Sequence, residues 1–312
     1  MQRTQLIQSN KVSSFFIKLF IFIAIVVVLD KSIGAVLKHF YFKQTSGLDF
    51  KTRFALDSTN QQVLIFGSSR SEWVYNPTII ENELHTTCYN VGRNGHPIFY
   101  HYALLQSTLK RYIPNTIILN VDAGMLTVFQ DSYDRISTLL PYYNSHPEIK
   151  STLDLKGPFE KIKTLSSIYP YNSMLLSTIT GLTKYPSPKN TFIKGYKALD
   201  GIYTDSVKTL HVEKDSMLDT VKVHIYSKFI DDCKAAGCKL YIVCAPYIVH
   251  MPNTDASLAI AKQIATQKNI PYWDYSTDTF FTTQPTLFAD FKHLNAKGVD
   301  VFTKMITDRM KQ

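Results

Sequence analysis

Val63-Leu64-Ile65-Phe66-Gly67-Ser68-Ser69-Arg70-Ser71 is the stretch on which the reading of this chain turns. Four apolar residues run straight into a glycine and two serines, the pattern of a buried strand ending in a tight turn. The pattern recurs downstream. Thr87 to Val91, Thr116 to Val121, Cys238 to Ala245 and Ile270 to Asp274 read as further strands. Thr78 to Leu84, Pro97 to Lys110, Leu218 to Ala236, Asp255 to Gln267 and Ala296 to Met310 read as helices. Pro97 suits a first helical turn, and Gly237 suits the residue that closes a helix. Apolar strands alternating with helices predict an α/β fold, a three-layer parallel sheet with helices on both faces.

The other end of the chain reads Asp290-Phe291-Lys292-His293-Leu294-Asn295, just before the last helix. It sets a carboxylate three residues ahead of a histidine. With the serines of the first turn, the chain holds a nucleophile, a base and an orienting acid, the groups that acyl transfer needs. Each half also has a plain structural reading. A serine after Gly67 can cap a helix, and Asp290 and His293 can be a cap and a surface histidine.

Together the two halves resemble the SGNH/GDSL hydrolase family. In that family a strand leads into Gly-Asp-Ser, and matching the glycine to Gly67 makes Ser69 the nucleophile and puts Ser68 in the aspartate's place. Asp290-x-x-His293 matches the last block, and Tyr89-Asn90-Val91-Gly92-Arg93-Asn94-Gly95 resembles the second. The resemblance implies a flavodoxin-like sheet order, a catalytic set of Ser69, Asp290 and His293, and an oxyanion donor at Gly95. One block departs. Where the family carries Gly-x-Asn-Asp, this chain reads Asn120-Val121-Asp122-Ala123-Gly124. Asp122 then falls near the place of an oxyanion-holding amide, which Asn94 or Asn120 is left to supply. Membrane-tethered relatives of this type often act on acyl groups of surface polysaccharides. The resemblance therefore implies an O-acetyl esterase or acyltransferase on carbohydrate outside the cytoplasm, needing no cofactor. The altered block keeps a second reading open, a non-catalytic binding or assembly protein on the same fold. Arg70 and Arg93 are read either as binders of an acidic substrate group or as solvated surface residues. His96 is read as touching the site through Gly95 or as structural.

The 312-residue chain is 45% hydrophobic and only 19% charged, enough for a sizeable core and against overall disorder. Its formal charge of +9 is scattered, with no dense basic block and no nucleic-acid motif. We read it as attraction to anionic surfaces such as lipid headgroups. Neither Gly-x-x-x-x-Gly-Lys nor Gly-x-Gly-x-x-Gly follows the first strand, which argues against nucleotide binding. Beside Cys233 and Cys238 no second cysteine or histidine pair carries zinc-ligand spacing, so no metal is expected. Cys233 and Cys238 bracket a helix end and allow a disulfide outside the cell, whereas Cys244 reads as a buried thiol.

Phe15 to Leu29 is apolar except for Lys18. A membrane-spanning helix, a cleaved signal peptide and a buried helix all fit such a run. The charged pair Asp30-Lys31 stands between the run and the small residues of a cleavage site, which favours a retained anchor. The expected organisation is a tail over 1–12, an anchor over 13–37, a connector over 38–61 and an α/β domain over 62–312. Within that domain 126–211, rich in Tyr, Ser, Pro and Lys, reads as an insertion over the sheet's C-terminal edge. Basic residues flank the run on both sides, so charge does not orient it. A short N-terminal tail before a large domain places the domain outside the cytoplasm.

Overall fold

The computed structural model describes residues 2–183, 192–205, 208–209, 217–250 and 255–312. Among them, five strands form one parallel sheet: β1 (Val63–Phe66), β2 (Cys88–Asn90), β3 (Thr116–Asn120), β4 (Lys239–Cys244) and β5 (Tyr272–Asp274). Their order is β2-β1-β3-β4-β5. Val63 stands opposite both Cys88 and Thr116, and Thr116 opposite Lys239. The helices of the α/β frame are α1 (Gln2–Lys43), α2 (Gly47–Asp57), α3 (Ser69–Val74), α4 (Pro77–Leu84), α5 (Ile98–Arg111), α6 (Thr220–Ala236), α7 (Ala256–Gln267) and α8 (Ala296–Met310).

The central strands are mostly apolar, β1 along its whole length, because both faces of the sheet are covered. Side chains alternate between those faces. Leu64, Phe66, Ile117, Leu119, Leu240 and Ile242 share one apolar cluster with α2, α5, α6 and α7. Val63, Ile65, Ile118, Tyr241 and Val243 share the other with α4 and α8. Each such side chain, fully buried, contributes about 1.5–3 kcal/mol. Local signals end the helices where the sequence places them. Asn76 caps α4 by accepting from the Thr78 amide, and Asp219 caps α6 through the Val221 and Lys222 amides. Gly237, at φ 79°, closes α6 in the left-handed conformation. The sheet order reverses between β1 and β3, so the connections from those strands leave in opposite directions. That opens a crevice at their C-terminal ends, where open α/β sheets bind ligands.

The N-terminal region departs from the expected division. α1 runs unbroken through the expected anchor and on to Lys43, and α2 fills much of the expected connector. Nothing before Gln44 breaks the helix, and the break comes where Gly47 adopts φ +87°. Ala55 and Leu56 of α2 are buried in the main core, so this segment is part of the domain. α1 is long and apolar enough over Val12–Lys43 to cross a membrane. Phe16, Phe20 and Phe22 on it are exposed, which overturns the reading of a buried core helix. All four cysteines are free and buried, so Cys233 and Cys238 do not form the disulfide that their spacing allowed.

Of the expected insertion, 184–191, 206–207 and 210–211 lie outside the described residues. The rest is short helices and turns. Ile136, Leu139, Leu140, Tyr142, Ile149 and Leu153 join the core on the α5 face, and Tyr143 and Tyr171 are buried with them. These tyrosines are packing residues.

His101 on α5 is buried, and burial pushes its ring down to about 3. An unfolded histidine titrates near 6.5. Between those values the unfolded chain holds more protons than the folded one, so stability falls as pH drops from about 6.5 towards 3. Denaturant titration of the detergent-solubilised chain at pH 7 and pH 4.5 should show that loss. His101→Gln should remove about 2 kcal/mol of the pH-dependent part. An unchanged pH dependence in the variant contradicts this assignment.

Candidate active site

β1 ends at Gly67, whose φ of +140° favours glycine. A Cβ there would lie 2.9 Å from the Asn120 carbonyl oxygen and 2.8 Å from Ser71 Cβ. The glycine lets the turn pass between β3 and α3. Ser68 follows at the helix cap, and Ser69 opens α3. α3 has only six residues, so it lends little macrodipole, and any anion held here depends on individual N–H groups.

The chain's C-terminal part brings the partner. Ser69 Oγ lies 2.9 Å from His293 Nε2. His293 Nδ1 lies 2.8 Å and 3.0 Å from the two carboxylate oxygens of Asp290. A short antiparallel hairpin, β6 (Phe288–Asp290) with β7 (His293–Leu294), holds the pair. Asp290 Oδ1 also accepts from the backbone N–H of Lys292 at 2.9 Å and of His293 at 3.0 Å. Partial burial raises the Asp290 carboxyl, but the bonds from the His293 ring and these amides outweigh it and leave the group below its ordinary range. An ionised carboxylate only accepts, so the tautomer follows: Nδ1 carries the proton, Nε2 is the acceptor, and the Ser69 hydroxyl donates to it. Trp73 meets the His293 ring edge-on, with centroids 4.7 Å apart, and His293 is buried. The structure thus brings together Ser69, His293 and Asp290, which the sequence separates widely.

Ser68 has a different partner. Its hydroxyl donates to Asp122 Oδ2. Asp122 Oδ1 accepts from Asn120 Nδ2 at 2.8 Å and lies 3.5 Å from Arg70 Nη1. Asp122 therefore faces a buried guanidinium of opposite charge. Arg70 is 2% exposed and stacks on Tyr247, 3.4 Å from the ring centroid. It donates to the carbonyls of Ala245 and Pro246 at the end of β4. This corrects the reading of Arg70 as a solvated surface residue: it is buried, and it lines the crevice beside Ser69 while its guanidinium donates to backbone carbonyls. Asn120 is also fully buried, its oxygen accepting from Tyr75 at 2.8 Å and its amide given to Asp122. It is not free to hold an oxyanion, contrary to one of the two expectations for that amide.

The second block is tied to the first. Val91 N donates to the Ile65 carbonyl at 2.9 Å, and Arg93 N to the Gly67 carbonyl at 3.0 Å. Asn90 Nδ2 donates to the Ser71 carbonyl at 2.7 Å, and its oxygen accepts from Gly92 N at 2.9 Å. Asn94 and Gly95 then reach the crevice, Gly95 at φ +71°. A buried ionic cluster that the sequence did not disclose holds this loop. Glu72 Oε2 accepts from Asn94 N at 2.6 Å, and Glu72 Oε1 lies 3.1 Å from Lys51 Nζ. Arg93 is buried against α2, donating to Thr52 Oγ1 and the Leu48 carbonyl, with Asp49 3.6 Å away. Its sequence readings as a surface or substrate-binding residue are both corrected. Burial lowers the Lys51 ammonium to about 8, against the pull of Glu72. His96 donates to the Asn94 carbonyl and faces Thr138 Oγ1, each at 2.9 Å. Burial and the charge of Arg93 hold its ring well below the usual range, hence neutral.

Ser68, Ser69, Asn94, Gly95 and Asp122 line one cleft of about 800 Å³. Its outer wall comes from the insertion and the segment before α6: Val128, Phe129 and Met217 line it and are 58%, 59% and 74% exposed. Arg135, paired with Asp131 at 2.8 Å, donates to the Gly95 carbonyl at 2.9 Å.

No protein-family profile matches this sequence, and no curated protein does. Among solved structures, it is similar to a presumed acylhydrolase of Bacteroides fragilis, with 13% identity and a TM-score of 0.40 over 82% of this chain and 88% of that one. It is similar also to an acetyl xylan esterase from the rumen bacterium Butyrivibrio proteoclasticus, with 9% identity and a TM-score of 0.35 over 80% of this chain and 63% of that one.

The buried Lys51–Glu72 pair generates a stability test. Glu72→Gln leaves the ammonium buried without its anion and should cost about 3 kcal/mol in denaturant titration. Adding Lys51→Met removes the stranded charge and should recover part of that loss. A Glu72→Gln chain as stable as wild type contradicts the pairing.

Proposed function

We propose that this chain is a membrane-anchored serine esterase or O-acyltransferase of the SGNH/GDSL kind. Its substrates on this reading are acyl esters, O-acetyl esters above all, of carbohydrate outside the cytoplasm. The observation that carries the reading is the hydrogen-bonded series from Ser69 through His293 to Asp290 at the crevice where the sheet order reverses. In the proposed reaction, Ser69 Oγ attacks the ester carbonyl while its proton passes to His293 Nε2. Asp290 keeps the imidazole in the productive tautomer and stabilises the cation that forms. The backbone N–H groups of Ser69 and Gly95, with the side-chain amide of Asn94, receive the oxyanion. His293 then returns the proton to the departing alcohol, leaving an acyl-serine. Water resolves it in an esterase, and a second sugar hydroxyl resolves it in a transferase.

Asp122 in place of an amide is the feature that favours the competing reading of a non-catalytic binding protein. Losing one oxyanion donor costs about 3 kcal/mol in serine hydrolases. That slows the chemistry without removing it, and Arg70 beside Asp122 offsets the repulsion. The exposed apolar wall of Val128, Phe129 and Met217 would select the substrate. The exposed apolar surface of α1 supports the anchor.

A fluorophosphonate probe tests the reading, because it labels only an activated serine. Wild type and Ser68→Ala should label, and Ser69→Ala should not. Asp290→Asn should slow labelling by about three to four orders of magnitude. Failure of wild type to label, with Ser69→Ala retaining its cellular role, would establish the binding reading instead.

A further inference from the structure

α1 does not leave its apolar run as a free tether. At Asp30 and Lys31 it is clamped to one loop of the domain. Asp30 accepts from Ser166 Oγ at 2.5 Å, Ser167 N at 2.8 Å and Ile168 N at 3.3 Å. Lys31 Nζ donates to the Leu165 carbonyl at 2.9 Å and to Ser167 Oγ at 3.0 Å. One turn further on, Gly34 approaches so closely that a Cβ there would lie 2.3 Å from Ser167 Cβ. Helix and loop are thus fixed at a defined height.

That height is set by the apolar run. Val12 to Leu29 spans roughly 27 Å at helical rise, close to the hydrocarbon thickness of a bilayer, about 30 Å. The clamped loop then lies where hydrocarbon gives way to headgroups. Beside it the domain exposes Phe159, Ile162 and Leu165, at 61%, 65% and 72%. Exposed large apolar residues concentrated in one short segment mark an interaction surface. Next to them, between α1 and the insertion, lies a cleft of about 870 Å³ whose lining includes Lys31, Lys38, Lys150 and Lys161. The carboxylate that lines it, Asp57, already faces His146 at 2.9 Å. Apolar side chains level with the headgroups and lysines just beyond them match the chemistry of an anionic lipid surface.

We propose that this face is a lipid-docking surface, with Phe159, Ile162 and Leu165 entering the headgroup region beside α1 and the lysine-lined cleft receiving the phosphate of an anionic phospholipid. The inference rests on the reading of α1 as a membrane span. It adds that the domain lies on the bilayer in one orientation.

The test uses the full chain in nanodiscs of phosphatidylcholine, with and without phosphatidylglycerol. Single spin labels are placed by Ile162→Cys and Leu165→Cys, by Ile25→Cys inside α1, and by Lys304→Cys on α8, on the opposite face of the sheet. Collision with oxygen reports lipid, and collision with a water-soluble nickel chelate reports solvent. Labels at positions 162 and 165 should favour oxygen several-fold over the label at 304, as the label at 25 does. Phosphatidylglycerol should raise that ratio, and Lys150→Glu with Lys161→Glu should abolish the rise. Solvent-like labels at 162 and 165 beside a lipid-like label at 25 overturn the docking surface and leave the anchor standing. A solvent-like label at 25 overturns both. No response to phosphatidylglycerol overturns the phosphate site.

Discussion

The hydrogen bond between Ser69 Oγ and His293 Nε2 is the constraint on which the rest of the account depends. It joins residues 224 positions apart. It forms only because β1 and the hairpin before α8 end at the same edge of the sheet. Gly67 allows the turn to pass close to β3, and Asp290 fixes the ring that Ser69 meets. Ser68 is the natural control. One residue away in the same turn, it points to a carboxylate and not to an imidazole. A serine bonded to Asp122 has a carboxylate acceptor, itself tied to Asn120 and Arg70, in place of an imidazole oriented by a second acid. The geometry therefore distinguishes two adjacent serines that composition treats alike.

Around this contact the chain places charge where little water reaches. Arg70 is buried beneath the turn, between Tyr247 and Asp122, and donates to the end of β4. Lys51 and Glu72 are buried where α2 meets α3, and Glu72 also holds the amide of Asn94. Buried pairs of this kind add little net stability against an apolar alternative, but removing one partner is costly. Their effect here is positional. α2, which follows α1 directly, grips the Asn94–Gly95 loop through Glu72 and Arg93. The α1–α2 end of the chain and the crevice are thus parts of one packed body.

Much of the α/β frame is legible in the sequence because it rests on local signals. Val63–Phe66 is apolar from end to end, Gly237 closes α6, and Ala296–Met310 has the bounds that its amphipathic pattern gives. The crevice residues Ser69, Asp290 and His293 stand out because strand-turn-helix and Asp-x-x-His are short, ordered patterns. What escaped is the cross-chain chemistry. Lys51 pairs with Glu72, and Asp49 faces Arg93, at separations that leave no period to detect. The expected connector reads as a spacer from its place after the apolar run; in the structure Ala55 and Leu56 join the core, and Asp49, Lys51 and Thr52 bind. Charge and a place beside the serine and oxyanion blocks leave Arg70 and Arg93 between a substrate-binding and a solvated role. Their aromatic and carbonyl partners come from elements far along the chain. Asn120 looked available because its amide suits an oxyanion, but Tyr75 and Asp122 consume it.

The central claim is that Ser69 is made nucleophilic by His293. Its most direct test is to trap the covalent intermediate. The purified chain is mixed with an activated acetyl ester, quenched in acid within the first turnover, digested and mapped by mass spectrometry. One acetyl group should appear on the Ser69 side chain and be lost when His293 is replaced by Ala. Acetylation confined to Ser68 or to surface lysines, or Ser69 acetylation that persists without His293, would contradict that claim.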